Sequence, residues 1–356
     1  MTNEMTDVMT SDGSLSSFGT PRWLRWSSVA LGLTGGVVVL FMTNARPGAF
    51  VLRYLLDRSP RAPTPSTAQS TGVTSIRDVP YAHGEPDALL DVYFPTRIEP
   101  GERRPTIVWI HGGAWISGTK HAAAPYLELL AGSGYTVIAV EYSRAPDARY
   151  PTPIRQINAA IAHTTRHADG FHVDQERIIV AGDSAGAQMA SQIATLVTSP
   201  AYASEVGITP SLRPDQLRGT ILFCGAYDAA GVARHPRVLP NTALRVFSRS
   251  VLWAYTGGRE RDSATLRQMS TIDHVTGEFP PTFISGGNAD PLTDAHSRPF
   301  AARLIELGVD VSARFYAPDH TPPLGHEYQF RIESADGRAA LQAVLGFVQR
   351  LMPVSP

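Results

Sequence analysis

Ile178-Ile179-Val180-Ala181-Gly182-Asp183-Ser184-Ala185-Gly186 is the stretch on which the fold turns. Four consecutive apolar residues run into a serine bracketed by glycines, and a helical pattern from Ala185 to Thr198 follows at once. That order describes a buried strand making a sharp turn into a helix, the setting of a G-x-S-x-G nucleophile elbow. The turn is steric in origin: a serine held in strained backbone needs neighbours without bulk two residues to either side. The hydroxyl is thereby lifted out of the sheet, and the N–H groups of the helix start lie beside it. Ser184 is the candidate nucleophile. Its simpler reading, as the N-cap of the helix, is compatible with that role.

Outward from this turn, short β-rich runs alternate with longer helical patterns. Strands are expected at 88–94, 106–110, 135–142, 177–181, 219–224, 281–285 and 309–316. Ile107-Val108-Trp109-Ile110 and Thr136-Val137-Ile138-Ala139-Val140 are apolar at successive positions, so both faces of these strands should be covered. Helical spacing appears at Ile154, Ile157 and Ile161, and again over 185–198, 294–307 and 334–351. The expectation is an α/β domain with a mostly parallel central sheet and helices on both faces. Residues 229–276 break the alternation and read as an inserted helical cap, with 243–255 as its principal helix.

Chemistry is expected at three further places. His111-Gly112-Gly113-Ala114-Trp115 leaves a buried strand, and its glycines let backbone approach a ligand closely. The N–H groups of Gly112, Gly113 and Ala185 are the candidate oxyanion donors, each contributing about 3 kcal/mol to a transition state. His111 is read as shaping that loop. A serine hydroxyl needs an imidazole to accept its proton, and the imidazole needs a carboxylate to orient it. Asp290, on the loop after the strand at 281–285, is the candidate acid, with Asp294 free to cap the next helix. The candidate base is His326, with His320 as the alternative on the same loop and the unused one left to solvent. His296 is set aside because it lies close to Asp290 and within a helical pattern.

The 356 residues carry a formal net charge of −1, which excludes the basic field of a nucleic-acid binder. Lys120 is the sole lysine, and Cys224, inside an apolar run, is the sole cysteine and reads as a small buried hydrophobe. No metal-ligand spacing and no phosphate loop appears, so no cofactor is inferred and the partner is a small-molecule substrate. Residues 1–20 are polar and expected to be disordered. Within 21–45, the twenty residues from Trp26 to Ala45 hold no charge, enough to cross a bilayer as a transmembrane or signal-anchor helix. The expected location is membrane-associated; a cleaved secretory signal or a cytoplasmic protein are the alternatives. Arginines at 46, 53, 58 and 61 outnumber those at 22 and 25, which favours a catalytic domain on the cytoplasmic side. Residues 46–72 read as a Pro/Ser/Thr-rich linker and 73–356 as the catalytic domain.

The motifs H-G-G-A-W at 111–115, G-D-S-A-G at 182–186 and D-P-L at 290–292 together resemble the hormone-sensitive-lipase-like branch of the α/β-hydrolases, which holds bacterial carboxylesterases and arylacetamide-deacetylase relatives. The resemblance covers about residues 73–352. It implies an α/β-hydrolase fold with a helical cap and cleavage of short- to medium-chain acyl esters through an acyl-enzyme. By position it places the nucleophile at Ser184, the acid at Asp290 and oxyanion donors at Gly112, Gly113 and Ala185. Two departures stand out. The family's Y-R-L-A-P becomes Tyr142-Ser143-Arg144-Ala145-Pro146, and its H-G-F becomes His326-Glu327-Tyr328 on a longer loop. Its shorter spacing from Asp290 would fall nearer His320. Amide cleavage by the same residues, or ligand binding without catalysis, are the rival readings.

Overall fold

A computed structural model describes residues 44–58, 72–99, 101–234, 240–259 and 263–354. Residues 1–43, which hold all but the last two residues of the expected membrane-spanning segment 21–45, lie outside them. No helix among the described residues is long and apolar enough to cross a membrane.

Eight strands form one sheet: β1 (Val73–Pro80), β2 (Leu89–Pro95), β3 (Arg104–Ile110), β4 (Thr136–Val140), β5 (Val173–Asp183), β6 (Leu217–Phe223), β7 (Thr282–Gly286) and β8 (Val311–Phe315). Their order is β1-β2-β4-β3-β5-β6-β7-β8. The pairings β1–β2 and β2–β4 are antiparallel, and every pairing from β4 to β8 is parallel. Seven strands match the expected runs to within a few residues. The eighth, β1, escaped the sequence reading because an edge strand with one neighbour needs no continuous apolar run. Its pattern Val73-Thr74-Ser75-Ile76-Arg77-Asp78 holds no fully buried position and is broken by a register shift after Ile76.

The continuous apolar strands do cover two faces. Val108 and Ile110 of β3 join one core and Ile107 and Trp109 the other; Ile178 and Val180 of β5 divide from Ile179 and Ala181 in the same way. Helices α2 (Ala124–Gly132) and α10 (Ala335–Leu351) close the second face through Tyr126, Leu130, Val344 and Phe347. Against the first face lie α3 (Thr152–Arg166), α4 (Ala185–Thr198) and α9 (Arg298–Glu306), with Ile157, Met189 and Phe300 among the buried contacts. Between them, α5 (Pro200–Val206) follows α4 directly. The fold class inferred from the sequence is the one found.

The excursion at 229–276 contains α6 (Ala229–Arg234), α7 (Thr242–Thr256) and α8 (Ala264–Met269). Asn241 caps α7 by accepting from Leu244 N–H at 2.8 Å, and Gly257 ends it in the left-handed region. One boundary differs from expectation. Residues 46–72 do not begin as linker: α1 (Ala45–Arg58) forms there, packs against α7 and belongs to the same compact unit as the sheet, Ala45–Pro356. The apolar run Phe50–Leu56 was its signal. Arg53 ties the helix down, donating to the carbonyls of Ile116, at 2.6 Å, and Ala145, at 2.5 Å, and pairing with Asp147.

Candidate active site

Parallel strands present their carboxyl ends at one rim, and each expected group sits on a loop leaving that rim. Ser184 stands between β5 and α4 at φ 53° and ψ −118°, a backbone conformation that costs a non-glycine residue about 1–3 kcal/mol. The surroundings force it. A Cβ on Gly186 would lie 2.0 Å from the Ile110 carbonyl oxygen, and one on Gly182 would lie 2.6 Å from the same atom. Only glycine lets the turn press this close to β3. The Ser184 N–H donates to Phe223 O at 2.7 Å, which pins the elbow to β6 as well.

Ser184 Oγ lies 2.9 Å from His326 Nε2, and His326 Nδ1 lies 2.8 Å from Asp290 Oδ2. Residues spread over 142 positions of chain thus form one hydrogen-bonded line. Asp290 is buried, and its other oxygen accepts from Leu292 N–H at 2.9 Å. The His326 side chain is 36% exposed, which leaves the ring open to the cleft. Loss of water around the ring works against its cation, but the Asp290 carboxylate that accepts from Nδ1 outweighs that, and the imidazole is held well above its ordinary value.

His320 is elsewhere. Its Nε2 is 3.3 Å from Asp336 and its ring packs on Tyr316, so it is a half-buried, partnered side chain and not the solvated loop residue expected. His296 is buried in the cavity wall, where its Nδ1 accepts from Asp228 N–H at 3.2 Å. Burial holds it down at about 4. His111 stacks on Tyr142 at 4.3 Å and its Nδ1 is 2.7 Å from Gly112 O, a loop-shaping position.

The oxyanion loop requires a correction. Gly112 N–H donates to Asp183 Oδ2 at 2.9 Å, so the first expected donor is already engaged. A Cβ on Gly112 would meet that oxygen at 2.4 Å, which is why a glycine stands there. The next two amides, of Gly113 and Ala114, have no acceptor among the described residues, and both residues line the cavity beside Ser184. Positive φ at Gly113, Ala114 and Trp115 turns this loop one residue further than the glycine pair alone suggests. The Ala185 N–H, at the first position of α4, lacks an intrahelical acceptor by geometry.

Asp183 is a part of the site that the sequence reading passed over. It is buried, accepts from Trp109 Nε1 and Gly112 N–H at 2.9 Å each, and faces Glu327, which follows His326 in the left-handed region. Burial, and next the charge of Glu327, push the Asp183 carboxyl up to about 8. The Cys224 reading is also incomplete: the thiol is buried, but it lies within 4.8 Å of donor atoms of Asp290 and His326. Burial pushes it up to about 11, so it faces the imidazole as a neutral thiol.

Above these groups is a cavity of about 550 Å³. Its floor is polar, with Ser184, His326 and the oxyanion loop; its roof is apolar, with Leu56 of α1 and Leu244, Phe247, Val251 and Leu252 of α7. A polar end and an apolar body are the shape of an acyl ester.

Residues 107–320 match the model of a family described as having the alpha/beta hydrolase fold. Esterase LipQ of Mycobacterium tuberculosis is 28% identical over 65% of this chain and 53% of its own length. Esterase LipC of the same organism is 30% identical over 62% of the chain and 53% of its own length. The chain thus spans about half the length of these curated relatives. An acetyl esterase of Salmonella paratyphi B is 29% identical over 68% of this chain and 69% of its own. Among solved structures, esterase B from Lactobacillus rhamnosis superposes with a TM-score of 0.67 at 22% identity, covering 90% of this chain and 96% of the other. An esterase from Pyrobaculum calidifontis follows at 0.61 and 22%, covering 89% and 97%.

Proposed function

The chain belongs to the α/β-hydrolase-fold family, and from that premise we propose that it is a serine hydrolase cleaving carboxylic esters of short to medium acyl chains. The observation that carries the reading is the unbroken line Ser184 Oγ–His326 Nε2 and His326 Nδ1–Asp290 Oδ2 at the polar floor of an apolar cavity. A neutral His326 takes the Ser184 proton as Oγ attacks the ester carbonyl carbon. Asp290 fixes the ring with Nδ1 protonated and stabilises the imidazolium that forms. The carbonyl oxygen becomes an oxyanion held by the N–H groups of Gly113, Ala114 and Ala185, the Gly112 amide being held by Asp183. Collapse expels the alcohol, which takes the proton from His326. Water, deprotonated by the same imidazole, then attacks the acyl-serine, and the acid leaves as Ser184 recovers its proton. Every atom of this sequence comes from the ester, one water and the three side chains.

The test is hydrolysis of p-nitrophenyl butyrate by Ser184→Ala, His326→Ala and His320→Ala variants. The first two should each lose at least about 10⁴-fold in kcat, as removal of a triad member does, and Ser184→Ala should no longer be labelled by a fluorophosphonate. His320→Ala should stay close to the parent. Full activity in Ser184→Ala would end the proposal, and the same enzyme offered matched anilides would reveal an amidase. Membrane association through residues 26–45 also remains part of this reading, supported by their uncharged composition.

A further inference from the structure

Helix α1 is apolar on both sides. Ala45, Ala49, Leu52 and Leu56 face the core, as their spacing requires, yet Phe50, Val51, Tyr54 and Leu55 turn outward. Among the described residues six large apolar side chains are exposed, and five of them lie on the adjoining helices α1 and α7: these four and Val246, each 44% to 57% accessible. Single exposed apolar residues need no explanation, but a cluster on two contacting helices does. The same helices hold five arginines, at 46, 53, 58, 245 and 249, against the single acid Asp57, in a chain whose net charge is −1. Arg53 is engaged with Asp147, and Arg58 lies over the Tyr54 ring.

We propose that the outer face of α1 and α7 docks on an anionic phospholipid bilayer, with the apolar side chains in the acyl boundary and the arginines other than the engaged Arg53 towards the headgroups. Two observations select this occupant. The basic excess complements anionic lipid, and an amphipathic surface of this composition is the kind that lies in a membrane interface. The uncharged stretch 26–45 also ends where α1 begins, so a bilayer segment there would deliver α1 to the lipid surface without intervening chain. The inner faces of the two helices roof the cavity, so lipid and cavity are separated by one layer of helix. That an ester crosses that layer to Ser184 rests on the hydrolase reading; the docking does not.

The full-length protein can be tested with an environment-sensitive fluorophore on Leu55→Cys, since the native thiol of Cys224 is fully buried. Ile305→Cys on α9, an exposed apolar site away from α1 and α7, serves as control. With vesicles of phosphatidylcholine and phosphatidylglycerol, the probe at 55 should shift to the blue, brighten several-fold and be quenched by brominated acyl chains, while the probe at 305 stays unchanged. Phe50→Glu with Val246→Glu should abolish most of that signal. Cosedimentation with a water-like signal at 55, equal signals at both sites, or no cosedimentation would each overturn the docking. A blue shift that needs no vesicles and grows with protein concentration would assign the face to a second copy of the chain and overturn it too. p-Nitrophenyl butyrate turnover in the same sample reports separately on the hydrolase reading: docking with a dead enzyme sinks only the latter.

Discussion

At the level of single residues, the site is governed by which charges are permitted. A base must be neutral to accept a proton, so activity should fall as pH drops through the pKa of His326. Because Asp290 holds that value above the ordinary 6.5, the acid limb of kcat/KM should lie above pH 6.5. Asp290→Asn removes the charge that raises it. The limb should then move to lower pH while kcat falls by about 10⁴, since the wrong tautomer is favoured. A pH–rate profile of both enzymes checks this, and an unmoved limb would show that Asp290 does not set the proton affinity of the ring. Ser184 and Asp290 were legible because each sits in a local string with a steric or topological meaning. His326 was separable from His320 only in part, because nothing local tells which of two histidines on one loop faces the cleft. The engagement of Gly112 was illegible for a related reason: it depends on where the Asp183 side chain points, and spacing carries no information about that.

Among the elements, α1 and α7 decide what fits. One precedes β1 and the other lies between β6 and β7, and they meet above the cavity, which is therefore shaped by a contact between distant parts of the chain. Val251, 2% accessible, presents its side chain to the cavity wall. In Val251→Phe the added ring should displace the acyl chain. Each methylene it excludes should lower kcat/KM about fourfold, from about 0.8 kcal/mol per buried CH₂. A series of p-nitrophenyl esters from acetate to octanoate measures this: acetate turnover should hardly change, and the loss should grow with length. A uniform loss would place the acyl chain elsewhere. The sequence disclosed α7 because 229–276 interrupts an otherwise regular alternation. It disguised α1, whose apolar run lies next to the proline-rich 59–67 and was absorbed into that composition.

Across the whole molecule, two buried groups set opposing pH dependences of stability. His296 is held at about 4 against 6.5 when unfolded. As pH falls from 6.5 towards 4 the unfolded chain takes up a proton that the native one refuses, so stability declines, by up to about 3 kcal/mol. Asp183 is the reverse. The unfolded carboxyl releases its proton near 3.9 and the native one at about 8, so its contribution is present at low pH and lost as pH rises between the two. Between about pH 4 and 6.5 the two slopes cancel. Urea unfolding across this range should therefore show a plateau followed by a decline to pH 8. His296→Asn should convert the plateau into a decline, and Glu327→Gln, which removes the like charge but leaves the burial, should make the decline above the plateau end at a lower pH. A profile unaffected by either change would rule out this balance. At the same scale, Asn288 has a role its place beside Asp290 does not announce. Its amide donates to His320 O at 3.0 Å and accepts from Leu324 N–H at 2.9 Å, while Ala289 N–H donates to Leu324 O at 2.9 Å. The long loop that carries the base is thereby buckled to the short loop that carries the acid. Whatever jolts one is transmitted to its companion, so the imidazole and the carboxylate that orients it travel as one piece, and the distance between them survives motion that would pull an untethered loop apart.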